Sequence, residues 1–133
     1  MGRTQSREQA FILIFEQLFN PEYTLDDLLA LTAESELFDP DDFTKELYTL
    51  VQTHAAEADE RIAGYLKNWR PERLPKVSIA VLRLAVCEIL FARDVPASVS
   101  ANEAVNLAKK YAAAEDAAFI NGVLGSLIRD LQV

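Results

Sequence analysis

Apolar residues recur at steps of three and four along most of the chain, the spacing of helices that bury one face. From Arg7 to Phe19 the set is Phe11, Ile14, Phe15 and Leu18, and Asn20-Pro21 ends this first helix because proline disfavours helical geometry in the residue before it. Thr24 can cap a second helix, with Asp27 three residues on and Leu25, Leu28 and Leu29 facing inward, reaching about Ala33. Asp39-Pro40 reads as the start of a third. Phe43, Leu47, Leu50, Val51, His54, Ala58, Ile62 and Leu66 then keep helical spacing to about Lys67, as one long helix or as two with a break near Thr53 to Glu57. Pro71 and Pro75 bracket a connector, with Pro75 placed in the first turn of the next helix.

Residues 77–91, VSIAVLRLAVCEILF, are apolar on nearly every side, as expected of a central helix surrounded by others. Val95-Pro96 ends that segment, and Ser100 with Glu103 is expected to form a capping box for a helix through Tyr111. A last helix, from about Asp116, carries Ile120, Val123, Leu124, Leu127, Ile128 and Leu131. No segment alternates with period two for long enough to make a strand. The pattern therefore predicts an all-α fold of six to seven helices in a single domain, residues 1–133.

Composition agrees with a packed globule: half of the 133 residues are apolar, with only 4 glycines and 5 prolines. A chain of this size can remove roughly two-thirds of its extended surface from water. Cys87 is the only cysteine, so no internal disulfide forms, and the longest apolar run near the start, Ala10 to Phe15, is too short for a signal peptide or a membrane span. A cytoplasmic protein is expected.

A net charge of −8 argues against coating nucleic acid by bulk electrostatics, but the charge is uneven. Residues 22–60 hold twelve acidic side chains and one basic one, whereas residues 61–76 hold five basic and one acidic. Two faces with different partners, or ordinary solvated helix faces, both fit this distribution.

Little in the chain suits catalysis. His54 falls on an apolar stripe and reads as a core or boundary residue; Cys87 sits in the apolar central helix, where desolvation blunts a thiol. No paired-histidine zinc spacing, Cys-x-x-Cys or glycine-rich phosphate loop is present, so no enzyme, metal or cofactor is expected. Gly122 and Gly125 share the last helix and suggest close helix packing. Arg83 and Glu88 interrupt the central helix and call for charge partners.

The basic residues do group. Arg3 and Arg7 are four apart, on one face of the first helix, while Lys67, Arg70, Arg73 and Lys76 flank Trp69 around the connector. Arginine supplies fork-shaped donors for phosphate and aromatic rings stack on unpaired bases, which is how single-stranded RNA is held. Trp69 could equally seal the edge of the core.

Four stretches carry a family likeness: Ser6-Arg7-Glu8-Gln9-Ala10, Ile79 to Leu90 (IAVLRLAVCEIL), Val95-Pro96 followed by Asn102 to Tyr111 (NEAVNLAKKY), and Phe119 to Leu124 (FINGVL). In these the chain resembles, over essentially its whole length, the NusB family of bacterial transcription antitermination factors. The resemblance implies two small three-helix bundles, with an extra helix, packed along the central helix. It implies binding of the boxA element of nascent ribosomal RNA together with NusE, the small-subunit ribosomal protein. That pair joins other Nus factors on RNA polymerase and suppresses termination. The family includes homodimers, so that state is open to this chain.

Position by position, Arg3 and Arg7 match the family's basic RNA-touching arm, and Phe119 matches an aromatic beside the RNA path. With Trp69, Arg70 and Lys76 these make the expected RNA-binding set. Asn121 fits a cap or packing role, and at least one of Lys109 and Lys110 fits solvated surface. Two departures stand out: Thr4, Gln5 and Ser6 interrupt what is often a run of arginines, and Gly125 replaces an acidic residue. Fewer phosphate contacts imply weak RNA binding alone and tighter binding with NusE. By charge, Asp26, Asp27, Asp41 and Asp42 are the candidate docking residues for that basic protein.

Three rivals accompany this reading. The chain could be a NusB-like domain that works beside an RNA-modifying enzyme such as a ribosomal RNA cytosine methyltransferase, or a protein adaptor that never touches RNA. A DNA-binding helix-turn-helix protein would need a basic recognition helix, and no segment supplies one.

Overall fold

The computed structural model describes residues 2–35, 38–66, 73–92 and 94–131. Among them are six helices and no strand: α1 (Arg3–Phe19), α2 (Leu25–Glu34), α3 (Asp42–Ala63), α4 (Lys76–Phe91), α5 (Ala97–Tyr111) and α6 (Ala114–Leu131).

The helix ends follow local chemistry. The Asn20 backbone N–H reaches back to the carbonyls of Glu16 and Gln17, closing α1 just before Pro21. The expected capping box opens α2: the Asp27 N–H donates to Thr24 Oγ1 at 3.2 Å and the Thr24 N–H to Asp27 Oδ2 at 2.9 Å. Asp41 caps α3, two residues beyond the expected Asp39-Pro40 start, and α3 runs unbroken past Thr53 to Glu57, so the one-helix alternative is the observed one. Pro75 stands just ahead of α4, not in its first turn.

One expected cap is absent. Pro96 occupies the position before α5, and the helix has already begun when it reaches Ser100, which lies buried inside it. Proline suits this entry because the first turn asks for no backbone donor. Glu103 is then used elsewhere, accepting a hydrogen bond from Thr4 Oγ1 at 3.1 Å.

α4 is central, as its sequence implied. It packs against α1 and α3 on one side and α5 and α6 on the other, while α2 packs on α1. Val81, Leu82, Val86 and Cys87 are all at most 1% exposed, so no face of α4 is left for water. Burial pushes the Cys87 thiol up to about 12, which fits a structural role.

The two charges in α4 find partners. Arg83 grips Asp59 of α3 through two hydrogen bonds of 2.8 Å, and Glu88 pairs with Arg7 of α1. His54 is a boundary residue: its ring stacks on Phe91 with centroids 3.8 Å apart, and Nδ1 lies 2.9 Å from Glu57. Gly122 and Gly125 do not serve close helix packing. A Cβ at Gly122 would meet nothing within 4 Å, and at Gly125 only the Arg129 side chain at 3.5 Å. No helix among the described residues is long and apolar enough to cross a membrane.

Candidate nucleic-acid interface

Arg3 begins α1 with its side chain 53% exposed. Its guanidinium carbon sits 4.4 Å from the centre of the Phe43 ring, and Nη2 makes a long 3.4 Å contact with the exposed carboxylate of Asp94. A surface pair of that length holds little energy, so the guanidinium stays available to a ligand.

Arg7, one turn along the same face, is in a different situation. Only 4% exposed, it donates from Nε to both oxygens of Glu88 at 2.8 and 3.0 Å and from Nη2 to Oε1 at 2.6 Å. Two buried opposite charges with matched fork geometry satisfy each other. The guanidinium is therefore committed to Glu88 instead of standing open for RNA, as its place in the basic arm had suggested. Its carbon also lies 5.6 Å from the Phe43 ring centre, so Phe43 serves as a shared neighbour of both arginines.

What sets Phe43 there is the junction of α1 with α3. Ser6 Oγ donates to Asp41 Oδ2 at 2.7 Å, while the Thr44 N–H and Thr44 Oγ1 each donate to Asp41 Oδ1 at 2.8 Å. The Thr44 backbone bond, with help from the Ser6 and Thr44 hydroxyls, holds the Asp41 carboxyl below the usual aspartate range against the opposing pull of desolvation. Asp41 thus fastens α3 to α1, a structural task the charge pattern had not separated from partner docking.

Beside this junction a cleft of about 520 Å³ opens between α1 and α5, lined by Thr4, Gln5, Glu8, Glu103, Asn106 and Lys110. Its far end is fastened by Glu8, which accepts from Lys110 Nζ and, at 2.9 Å, from the Tyr111 hydroxyl. The Lys110 hydrogen bond is the main cause that lowers the Glu8 pKa. A second cleft of about 510 Å³ runs between α5 and α6, lined by Val99, Asn102, Glu103, Asn121 and Ile128 among others. Glu103 borders both, so the two clefts adjoin.

The remaining expected residues are dispersed. Phe119 is half-buried and packs against the core from α6, whereas Asn121 faces the α5–α6 cleft. Lys76 lies 5.4 Å from the ring centre of Phe19, at the opposite end of α1 from Arg3, a separation of about 24 Å at 1.5 Å per residue. Trp69 and Arg70, with Lys67, lie outside the described residues. Asp26 and Asp42 are exposed, and exposed Asp27 is engaged in the α2 capping box. No cluster that could hold a metal occurs among the described residues.

Sequence reading missed Phe43 and Asp94. Phe43 carried a signal, since its helical spacing marked it as inward-facing, but nothing local showed that its ring would meet Arg3.

Comparison with known proteins extends these observations to the whole chain. The NusB family profile matches residues 4–129. Transcription antitermination protein NusB of Clostridium botulinum (strain Hall) is 41% identical over 144 residues, covering 96% of this chain and 100% of that protein. Among solved structures, T. maritima NusB aligns with a TM-score of 0.83 at 30% identity over 97% of this chain and 92% of that one. A chain from the crystal structure of antitermination factors NusB and NusE in complex with double-stranded RNA aligns at 0.82 and 26% identity, over 98% and 99%. With a family match over nearly its full length and the same helical fold, the chain belongs to the NusB family.

Proposed function

We propose that this chain, a transcription antitermination factor and not an enzyme, holds the boxA element of nascent ribosomal RNA together with NusE and so promotes processive transcription of ribosomal RNA operons. The observation that carries the proposal is Arg3: its side chain at the start of α1 is more than half exposed and touches only the Phe43 ring and, by a long contact, Asp94 among the described residues. Its neighbours Gly2, Thr4 and Gln5 line the α1–α5 cleft. An extended strand could pass from Arg3 along the adjoining α1–α5 and α5–α6 clefts, where Asn106, Asn102 and Asn121 offer hydrogen bonds to bases or sugars.

With Arg7 internal, this arm offers few phosphate contacts, which supports weak binding alone and completion of the grip by NusE. The acidic stretch 22–60 suits a basic ribosomal protein, and its exposed Asp26 and Asp42 are the proposed docking residues; Asp27 and Asp41 contribute through the helix starts they cap. Phe119, Trp69, Arg70 and Lys76 are the further proposed RNA-binding residues. Other Nus factors and RNA polymerase are reached through the RNA–NusE assembly in the cytoplasm, and a homodimer would compete with it.

The test is a titration of labelled boxA RNA, single-stranded and as duplex, with and without NusE at two salt concentrations. Binding strengthened by NusE, weakened by Arg3→Ala and less salt-dependent in that variant is expected, the log–log slope falling by about 0.7 for one single-strand phosphate contact. Absence of RNA binding in every arm would remove the antitermination reading in favour of a pure protein adaptor.

A further inference from the structure

A long arginine side chain samples many rotamers, and freezing one on a phosphate costs affinity unless the protein has already restricted it. Arg3 is more than half exposed and would be expected to move freely, yet its guanidinium carbon is placed 4.4 Å from the centre of the Phe43 ring. That lies well inside the roughly 6 Å range over which an aromatic face attracts a cation. Contact through the ring face leaves the in-plane N–H donors of the guanidinium for an incoming oxygen.

The ring is itself held in place by its surroundings. Phe43 is half-buried against the core, Arg7 lies 5.6 Å from the same ring centre, and Arg7 is locked by three hydrogen bonds to Glu88 in α4. The turn that carries Phe43 is fastened to α1 through Ser6, Asp41 and Thr44. The support thus runs from α4 through Arg7 to Phe43 and on to Arg3.

We infer that Phe43 is a positioning residue for RNA binding: its ring pre-orients the Arg3 guanidinium for a phosphate of the bound strand. This rests on the RNA-binding function proposed above. It assigns a task in recognition to an aromatic whose spacing marks it only as core.

The experiment is a double-mutant cycle with Phe43→Leu, Phe43→Tyr, Arg3→Ala and the Phe43→Leu/Arg3→Ala pair. Affinity for a labelled boxA oligonucleotide is measured in the presence of NusE at two salt concentrations, with thermal stability recorded for each variant. Phe43→Leu should weaken binding by about two- to fivefold, the factor that corresponds to a cation–ring contact at an exposed site. Phe43→Tyr, which keeps the ring, should retain wild-type affinity, and Phe43→Leu should cost nothing further once Arg3 is gone. Equal weakening by Phe43→Leu in both backgrounds, with Arg3→Ala itself weakening binding, overturns this inference alone, because the ring would then act only through the fold. Failure of the wild-type protein to bind the oligonucleotide overturns both this inference and the function on which it rests.

Discussion

Arg7 of α1 and Glu88 of α4 form a bidentate ion pair sealed from water, with side-chain exposures of 5% and 1%. The pair joins residues 81 positions apart and pins the first helix to the central one.

Removing one partner strands the other's charge in the interior. Arg7→Ala or Glu88→Ala should each destabilise the protein by about 3–5 kcal/mol, whereas Arg7→Met with Glu88→Leu should lose much less, since no buried charge remains. Urea denaturation checks both statements. Single variants within about 1 kcal/mol of wild type would mean that water reaches the pair.

Asp41 ties stability to pH with a definite sign. Its carboxyl is held below the usual aspartate range, chiefly by the Thr44 backbone hydrogen bond, so its contribution is fully present above the ordinary aspartate pKa. The contribution is lost as pH falls through the lowered value. Asp41→Ala should cost about 1 kcal/mol at neutral pH, and Asp41→Asn, which can still cap, considerably less. The deficit of Asp41→Ala should shrink in acid, where the wild-type group is also protonated. Thermal unfolding from pH 7 down to pH 3 tests this, and a deficit independent of pH would sink it.

The helices were legible in the sequence because the signals that define them are short-ranged. A mostly apolar stretch as long as residues 77–91 favours a buried helix over a strand, and Thr24 with Asp27 closes a cap within four residues. Ser100 and Glu103 offered the same kind of signal, but Pro96 had already started α5, Thr4 of α1 claimed Glu103, and Ser100 was buried inside the helix. The site was far less legible. Arg3 and Arg7 share a helix face and look alike in sequence, yet the carboxylate that separates their fates, Glu88, is 81 positions from Arg7. Phe43, under both, is contributed by a different helix. Lys76 was no more legible, because nothing near it in sequence showed that it would lie beside Phe19, at the other end of α1 from Arg3.

Ser100 makes a simple test of burial. Its residue is 2% exposed and its Oγ has no hydrogen-bond partner among the described residues, so the hydroxyl was desolvated without compensation. Ser100→Ala should be neutral or stabilising by up to about 1 kcal/mol, seen as an unchanged or raised melting temperature. A loss of more than about 1 kcal/mol would show that the hydroxyl is bonded within the fold.

Asp94 is the only carboxylate in contact with Arg3 among the described residues, 3.4 Å away and with its side chain 70% exposed. A phosphate that takes up the Arg3 donors must displace or crowd this group, so the negative charge opposes RNA binding. Asp94→Asn should therefore strengthen RNA affinity by about two- to threefold at low salt, in line with the small energy of exposed pairs, and the gain should fade as salt screens the charge. Stability should change by less than about 0.5 kcal/mol, because neither side chain is buried. The gain should also vanish in Arg3→Ala, since the phosphate would then have no guanidinium to share with residue 94. Affinity that is unchanged by Asp94→Asn at every salt concentration would place the RNA away from Arg3.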